Sequence, residues 1–256
     1  MNHVRSQFPV WGTVVYVDVA SAIVSGAELN TGLGKVIEFC RHVDEDFSTY
    51  IDSSWVTRLR RGKVAIEDCP QSVREVWELC GQAKYLSDGA FDPWAVDGGF
   101  DPSGLVKGWA ADICAEMLVA AGAQHVQVNA AGDLALRGGW FDAAHEDIKP
   151  WKIGVVNPDA RQEVLKIFEI TNGAIATSGT YERGAHITDP YTGMIAIGAK
   201  SATIVGKAGW LCDALATAAM VAGSDAAKWF GQDELSGYQL WAIDRHENTS
   251  WSTTDT

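Results

Sequence analysis

Between Phe91 and Asp112 the chain reads FDPWAVDGGFDPSGLVKGWAAD, setting three acids (Asp92, Asp97, Asp101), a glycine cluster and one lysine, Lys107, ahead of a helix. Glycines let a backbone approach a ligand closely, and a helix start offers unpaired N–H groups to an anion. Acids in the same place repel a bare phosphate unless a cation or ligand hydroxyls intervene. A nucleotide diphosphate held with a divalent cation meets both conditions. A plain loop-to-helix connection is the simpler alternative.

The flanking sequence supplies helices and strands in alternation. After Lys107, Ala110, Ile113, Cys114, Met117, Leu118 and Ala121 form one apolar stripe that Gly122 ends. Val36, Phe39, Cys40, Val43 and Phe47 recur at helical spacing behind a cap at Asn30 or Thr31, and Pro70 opens a further helix with Val73, Val76, Trp77 and Cys80 on one face. The former helix ends near 48–50, and a polar segment with Arg58, Arg60, Arg61 and Gly62 lies between the two. Strands are expected at Val10–Val19, 125–129, Trp151–Asn157, Val164–Ile170, 175–179 and Ala199–Val205, with a closing hairpin over Tyr238–Trp251. Residues 138–150 read as a loop, and Leu211–Ala222 as a helix rich in small residues. Strands outnumber βαβ units. The expectation is therefore an α+β fold with a largely antiparallel sheet and packed helices, and 1–256 reads as a single domain.

The net charge of −13 argues against nucleic acid or an anionic membrane surface as partner, while leaving room for a small phosphorylated ligand in a locally basic pocket. No apolar run approaches the roughly 20 residues that span a bilayer. The N-terminal MNHVRSQFPVWGTVV lacks an apolar leader core and a cleavage site, so a cytoplasmic protein is expected. Five cysteines (Cys40, Cys69, Cys80, Cys114, Cys212), with no CxxC among them, read as reduced core residues.

Four groups of residues suggest chemistry. Asp213 and Thr217 share a helix face, and a carboxylate with a hydroxyl suits a hard cation such as Mg²⁺. An exposed acid that stabilises the dipole of a helix start is the other reading of Asp213. His186 is placed to move a proton near neutral pH, or is a turn residue at the surface. Thr177 and Ser178 precede Gly179 and suit hydrogen bonding better than covalent catalysis, since no GxSxG elbow surrounds them. Tyr50, after a helix, suits stacking on a flat heterocycle or capping the core.

Taken in order, these segments resemble the FAD:protein FMN transferase family, the ApbE-like proteins. WGT at 11–13 is similar to the family's MGT, and FSTYIDSSWVTRL at 47–59 to its F-S-x-Y…S-x-x-S-R-L. GAFDP at 89–93 matches closely. FDPSGLVKGWAAD at 100–112 resembles V-D-L-G-G-I-A-K-G-Y-A-V-D, and VNAAGD at 128–133 resembles V-N-A-G-G-D. ATSGTYER (176–183), HITDPYTG (186–193) and DALATA (213–218) match almost letter for letter.

The resemblance implies the ApbE (T-fold-like) architecture. It also implies an activity in which a threonine hydroxyl of an acceptor protein attacks the FMN-side phosphorus of FAD and AMP departs. It assigns Mg²⁺ to Asp213, Thr217 and the Gly104 carbonyl. FAD contacts fall to Trp11, Tyr50, Ala90, Phe91, Asp92, Asp101, Lys107, Thr177, Ser178 and His186. His186 is the expected base, with Asp213 sharing or replacing that role. Trp11 in place of methionine, Pro102 in place of leucine, Val106 in place of alanine and Trp210 near Asp213 depart from the pattern, as do Trp55 and Arg60. An FAD pyrophosphatase yielding FMN and AMP, and a flavin-binding protein without turnover, are the alternatives on the same residues.

Overall fold

The structure, a computed structural model, describes residues 1–142, 145, 147–180, 187–246 and 249–254. Its centre is an eight-stranded sheet in the order β1-β2-β3-β4-β9-β10-β11-β12. These strands are β1 (Asn2–Val10), β2 (Thr13–Ser21), β3 (His125–Ala130), β4 (Asp133–Arg137), β9 (Gly173–Gly179), β10 (Ala199–Gly206), β11 (Gln239–Asp244) and β12 (Ser250–Ser252). Every neighbouring pair in it is antiparallel, as the excess of strands over βαβ units predicts. Two short hairpins stand apart from it, β5 (Trp140–Asp142) with β6 (Asp147–Lys149) and β7 (Trp151–Val156) with β8 (Val164–Ile170). The helices are α1 (Gly26–Phe47), α2 (Trp55–Arg60), α3 (Gln71–Leu86), α4 (Ser103–Ala120) and α5 (Gly209–Ala222).

Strand alternation sorts the core into two layers. Ala174, Ala176, Ala202, Ile204, Leu240 and Ala242 face the helices and pack with Leu105, Trp109, Leu215 and Met220. Their neighbours Leu134, Leu136, Ile175, Val205, Trp241 and Ile243 face the other way, against Val155, Phe168 and Ile170 of the β7–β8 hairpin. All five cysteines are buried and free, as expected. Among the described residues no helix is long and apolar enough to cross a membrane.

Several sequence expectations need correction. The strand read at Val10–Val19 is two strands: Val10 pairs with Thr13, and Trp11 (φ 56°) and Gly12 (φ 67°) make a two-residue turn with both residues left-handed. Helix α1 starts at Gly26, because Ser25 caps the Glu28 N–H and the Glu28 side chain returns to the Ser25 N–H. Asn30 and Thr31 instead hydrogen-bond to carbonyls one turn back, inside the helix. The polar segment around Arg58–Gly62 holds part of α2, which is capped by Ser54, whose side chain accepts from the Thr57 N–H. The strand at 125–129 continues through a left-handed Ala131–Gly132 turn into β4. The loop read over 138–150 contains β5 and β6.

Helix α4 begins at Ser103, four residues before Lys107, so the lysine lies within the helix and not ahead of it. Its crossing with α5 is the closest approach that positions the site. A Cβ on Gly108 would lie 2.1 Å from the Gly209 carbonyl oxygen, and one on Gly209 would lie 2.6 Å from the Gly108 carbonyl oxygen. Backbone meets backbone here, with no flexible atom to yield. Gly108→Ala is therefore expected to destabilise the protein by about 1–3 kcal/mol, the usual cost of overpacking. A urea melt with an unchanged midpoint would show that the helices separate freely.

Candidate functional site

The α4–α5 crossing places one side of α4 against one side of α5 at the floor of a cleft of about 690 Å³. Gly12 of the first turn and Thr13 after it, the 90–101 segment, the β3–β4 turn, and Thr177 and Ser178 of β9 supply its walls. On the floor the Lys107 Nζ donates to Asp133 Oδ2 and lies 3.2 Å and 3.4 Å from the two oxygens of Asp213. Asp133 and Asp213 are 4% and 3% exposed, so water screens neither well. Burial alone depresses the lysine pKa; the two carboxylates more than offset it and hold Lys107 above its ordinary value. One ammonium between two carboxylates leaves the floor with a formal charge of −1.

Asp213 is thus not the exposed helix-start acid that one reading of its position suggested. It sits inside α5 and accepts a 3.1 Å hydrogen bond from the Gly108 N–H. In a regular helix that N–H would donate to the carbonyl of Gly104. Gly104 itself leaves helical geometry (φ −83°, ψ 15°). One turn beyond Asp213, the Thr217 hydroxyl lies 3.3 Å from Ser178 Oγ, and a Cβ on Gly104 would lie 3.1 Å from that same hydroxyl. The structure therefore brings Gly104, Asp213 and Thr217 to one place from two helices far apart in sequence. Among the described residues no group of three or more His, Cys, Asp or Glu forms a metal site, so a cation here would draw on hydroxyl and carbonyl oxygens beside Asp213.

Ala90, Phe91, Asp92, Asp101, Lys107, Thr177 and Ser178 all line the cleft, as do Gly104, Asp213 and Thr217. The two loop acids are already engaged: Asp92 with Lys84 at 2.6 Å and with the Trp94 N–H, Asp101 with Arg60 at 3.4 Å and with the Ser103 N–H. Arg60 also donates to the Asp97 carbonyl, which ties α2 to the glycine segment. The Thr177 hydroxyl pairs with that of Thr203 at 2.9 Å.

Two expected contacts fall outside the lining. Trp11 points back into the protein, where its indole N–H donates to the Cys40 carbonyl at 3.0 Å. Its left-handed turn places Gly12 and Thr13 at the cleft instead. Tyr50 is 95% exposed and neither lines the cleft nor caps the core. His186 lies outside the described residues, while the following Ile187 and Thr188 line the cleft.

The sequence reading missed three contributors. Asp133 closes the VNAAGD segment with no role assigned to it, yet it is the nearer partner of Lys107. Arg161, in the turn between β7 and β8, lines the cleft from a distant element and carries no local signal of it. Asp112 accepts the Gly209 N–H at 2.5 Å and so caps α5 from α4. Burial raises the Asp112 pKa, against the opposing effect of the Gly209 N–H and Arg137.

Residues 95–240 match the model of the ApbE family. The chain belongs to the ApbE family. The match spans the glycine segment, α4, β3, β4, β9 and most of α5's surroundings, which is where the cleft floor is built. A relative from Vibrio cholerae named FAD:protein FMN transferase is 35% identical over 135 residues, 49% of this chain and 39% of that protein. One of the same name from Rhodobacter capsulatus is 31% identical over 133 residues, 49% of this chain and 24% of its own length. The matched stretch thus spans well under two thirds of either relative. The crystal structure of an ApbE protein from Thermotoga maritima superposes with a TM-score of 0.83 at 23% identity, covering 99% of this chain and 98% of that one. The flavin transferase ApbE from Vibrio cholerae gives 0.83 at 21% identity, covering 99% and 97%. These likenesses establish that the family's fold is shared end to end.

Asp213→Asn keeps the shape of the floor and removes one of the two charges facing Lys107. A loss of about 1–3 kcal/mol is expected, the cost of leaving a buried charged hydrogen bond incomplete. Urea denaturation measures it, and a stability equal to that of the unsubstituted protein would show the pair to be energetically idle.

Proposed function

We propose that this protein transfers FMN from FAD to a threonine of an acceptor protein and releases AMP. The observation that carries the reading is the Lys107–Asp133–Asp213 floor, with Thr217 and Gly104 beside it, in a member of a family whose curated relatives bear the name FAD:protein FMN transferase. The floor offers an ammonium for a phosphate oxygen and, next to it, an oxygen-donor set with net negative charge. Such a mixture suits a diphosphate accompanied by a hard divalent cation.

The donors present fit Mg²⁺. Asp213 brings a carboxylate and Thr217 a hydroxyl, and Gly104, which leaves helical geometry beside the Thr217 hydroxyl, would bring its carbonyl. Mg²⁺ at these residues would neutralise the pyrophosphate and the charge growing on AMP. Lys107 would bind a phosphate oxygen and orient the diphosphate along the floor. Thr177 and Ser178, with Ala90, Phe91, Asp92 and Asp101, would hold the rest of FAD against the walls. The acceptor threonine oxygen bonds to the FMN-side phosphorus as the bond from that phosphorus to the bridging oxygen breaks. AMP leaves with the bonding electron pair. His186 is assigned the threonine proton, with Asp213 as the other candidate.

The test is to incubate the protein with FAD and Mg²⁺, with and without a threonine-bearing acceptor domain, and to assay AMP and covalent flavin. Acceptor-bound flavin with matching AMP is expected. AMP and free FMN in both tubes would make the enzyme an FAD pyrophosphatase. Bound FAD with no AMP would make it a binding protein. Asp213→Ala is expected to abolish divalent-dependent turnover, and normal turnover in that variant would remove the metal site. His186→Ala is expected to slow transfer by about 10²–10⁴-fold; an unchanged rate would leave Asp213 as the base.

A further inference from the structure

We propose that Asp133 is a positioning residue whose charge draws Lys107 away from Asp213 and so keeps the Asp213 carboxylate available to a divalent cation. The inference rests on the metal reading above and adds to it a residue that the reading does not use.

The geometry poses a problem that Asp133 solves. Lys107 lies 3.2 Å from Asp213 Oδ2, the same oxygen that accepts the Gly108 N–H. An ammonium and a divalent cation sharing one carboxylate repel each other, and little water reaches the floor to screen them. With Asp213 as its sole counter-charge, Lys107 would compete with the metal for it. Asp133 changes the balance, because its oxygen is the nearer of the two partners. The lysine can swing toward it and stay neutralised.

The fold fixes Asp133 firmly in that position. It is the first residue of β4 and pairs with Ala130 across the turn. Ala131 (φ 59°) and Gly132 (φ 100°) make that turn tight, and the Asn129 side chain accepts the Gly132 N–H at 2.9 Å. The carboxylate reaches the cleft from the sheet, whereas Lys107 and Asp213 come from the helices. The counter-charge thus stands on a different element from the α4–α5 pair it serves.

Partners that orient metal ligands from behind typically change metal affinity by about 10–100-fold when removed. The experiment is a Mn²⁺ titration followed by electron paramagnetic resonance, without FAD, so that loss of the Lys107 contact with the diphosphate does not enter the reading. It compares the unsubstituted protein with Asp133→Asn, Lys107→Met and the double variant. The inference predicts that Asp133→Asn weakens Mn²⁺ binding by about tenfold or more. It predicts that Lys107→Met does not weaken it, and that the double variant regains the affinity lost in Asp133→Asn. In transfer assays Asp133→Asn should raise the Mg²⁺ concentration for half-maximal rate. A purely structural role for Asp133 would leave the double variant as weak as Asp133→Asn. That result, or unchanged Mn²⁺ affinity in Asp133→Asn, overturns the inference while the metal site stands. No Mn²⁺ bound by the unsubstituted protein without FAD overturns the inference, and none bound with FAD present either overturns the metal site as well. Should Asp133→Asn fail to fold, a Lys107→Met variant with weakened Mn²⁺ binding would overturn the inference by itself, since it removes the supposed competitor.

Discussion

The contact between Gly108 and Gly209 is the constraint on which the site depends. Two helices approach so closely there that a methyl group on either glycine would enter the other's backbone. This contact sets Lys107 of α4 within 3.2–3.4 Å of both oxygens of Asp213 of α5 and turns the Gly108 N–H toward the same carboxylate. Asp112, one turn further along α4, takes the first N–H of α5 and fixes the rotation of the pair. Widening the crossing by the width of a methyl group would separate charges that sit in a poorly screened place, and would lose geometry and electrostatics together.

The sheet completes what the helices begin. Its antiparallel order places β3, β4 and β9 side by side, so the Ala131–Gly132 turn and the Thr177–Ser178 pair open onto the same floor. The β7–β8 hairpin covers the opposite face of these strands, and its connecting turn brings Arg161 around to the cleft. The cleft wall therefore draws on residues from the first turn of the chain through α5, which explains why the family's short motifs are scattered in sequence.

Much of this was legible in the sequence because it was local. The apolar stripe from Ala110 to Ala121 located α4, and the four-residue spacing of Asp213 and Thr217 put them on one face of α5. What escaped was set by partners distant in sequence or by turn geometry. Trp11 stands where WGT resembles the family's MGT, but its left-handed conformation turns the side chain to Cys40, and no propensity of tryptophan signals that. Ser25 and Glu28 form a capping box whose signal was overlooked in favour of polar residues further on. The burial of Asp213 was hidden because a helix-start acid is usually exposed, and only the crossing with α4 makes it otherwise. Asp133 was visible within VNAAGD; its ion pair with Lys107 depends on β4 packing beside α4.

The central claim is that the floor formed by α4, α5 and β4 holds a diphosphate and its cation. A crystal structure with FAD and Mn²⁺, read by the anomalous signal of manganese, tests it most directly. The account predicts a single strong peak within ligand distance of Asp213, Thr217 and the Gly104 carbonyl, with the FAD pyrophosphate between that peak and the Lys107 Nζ. A manganese peak elsewhere, or FAD bound with its pyrophosphate away from Lys107, would contradict it.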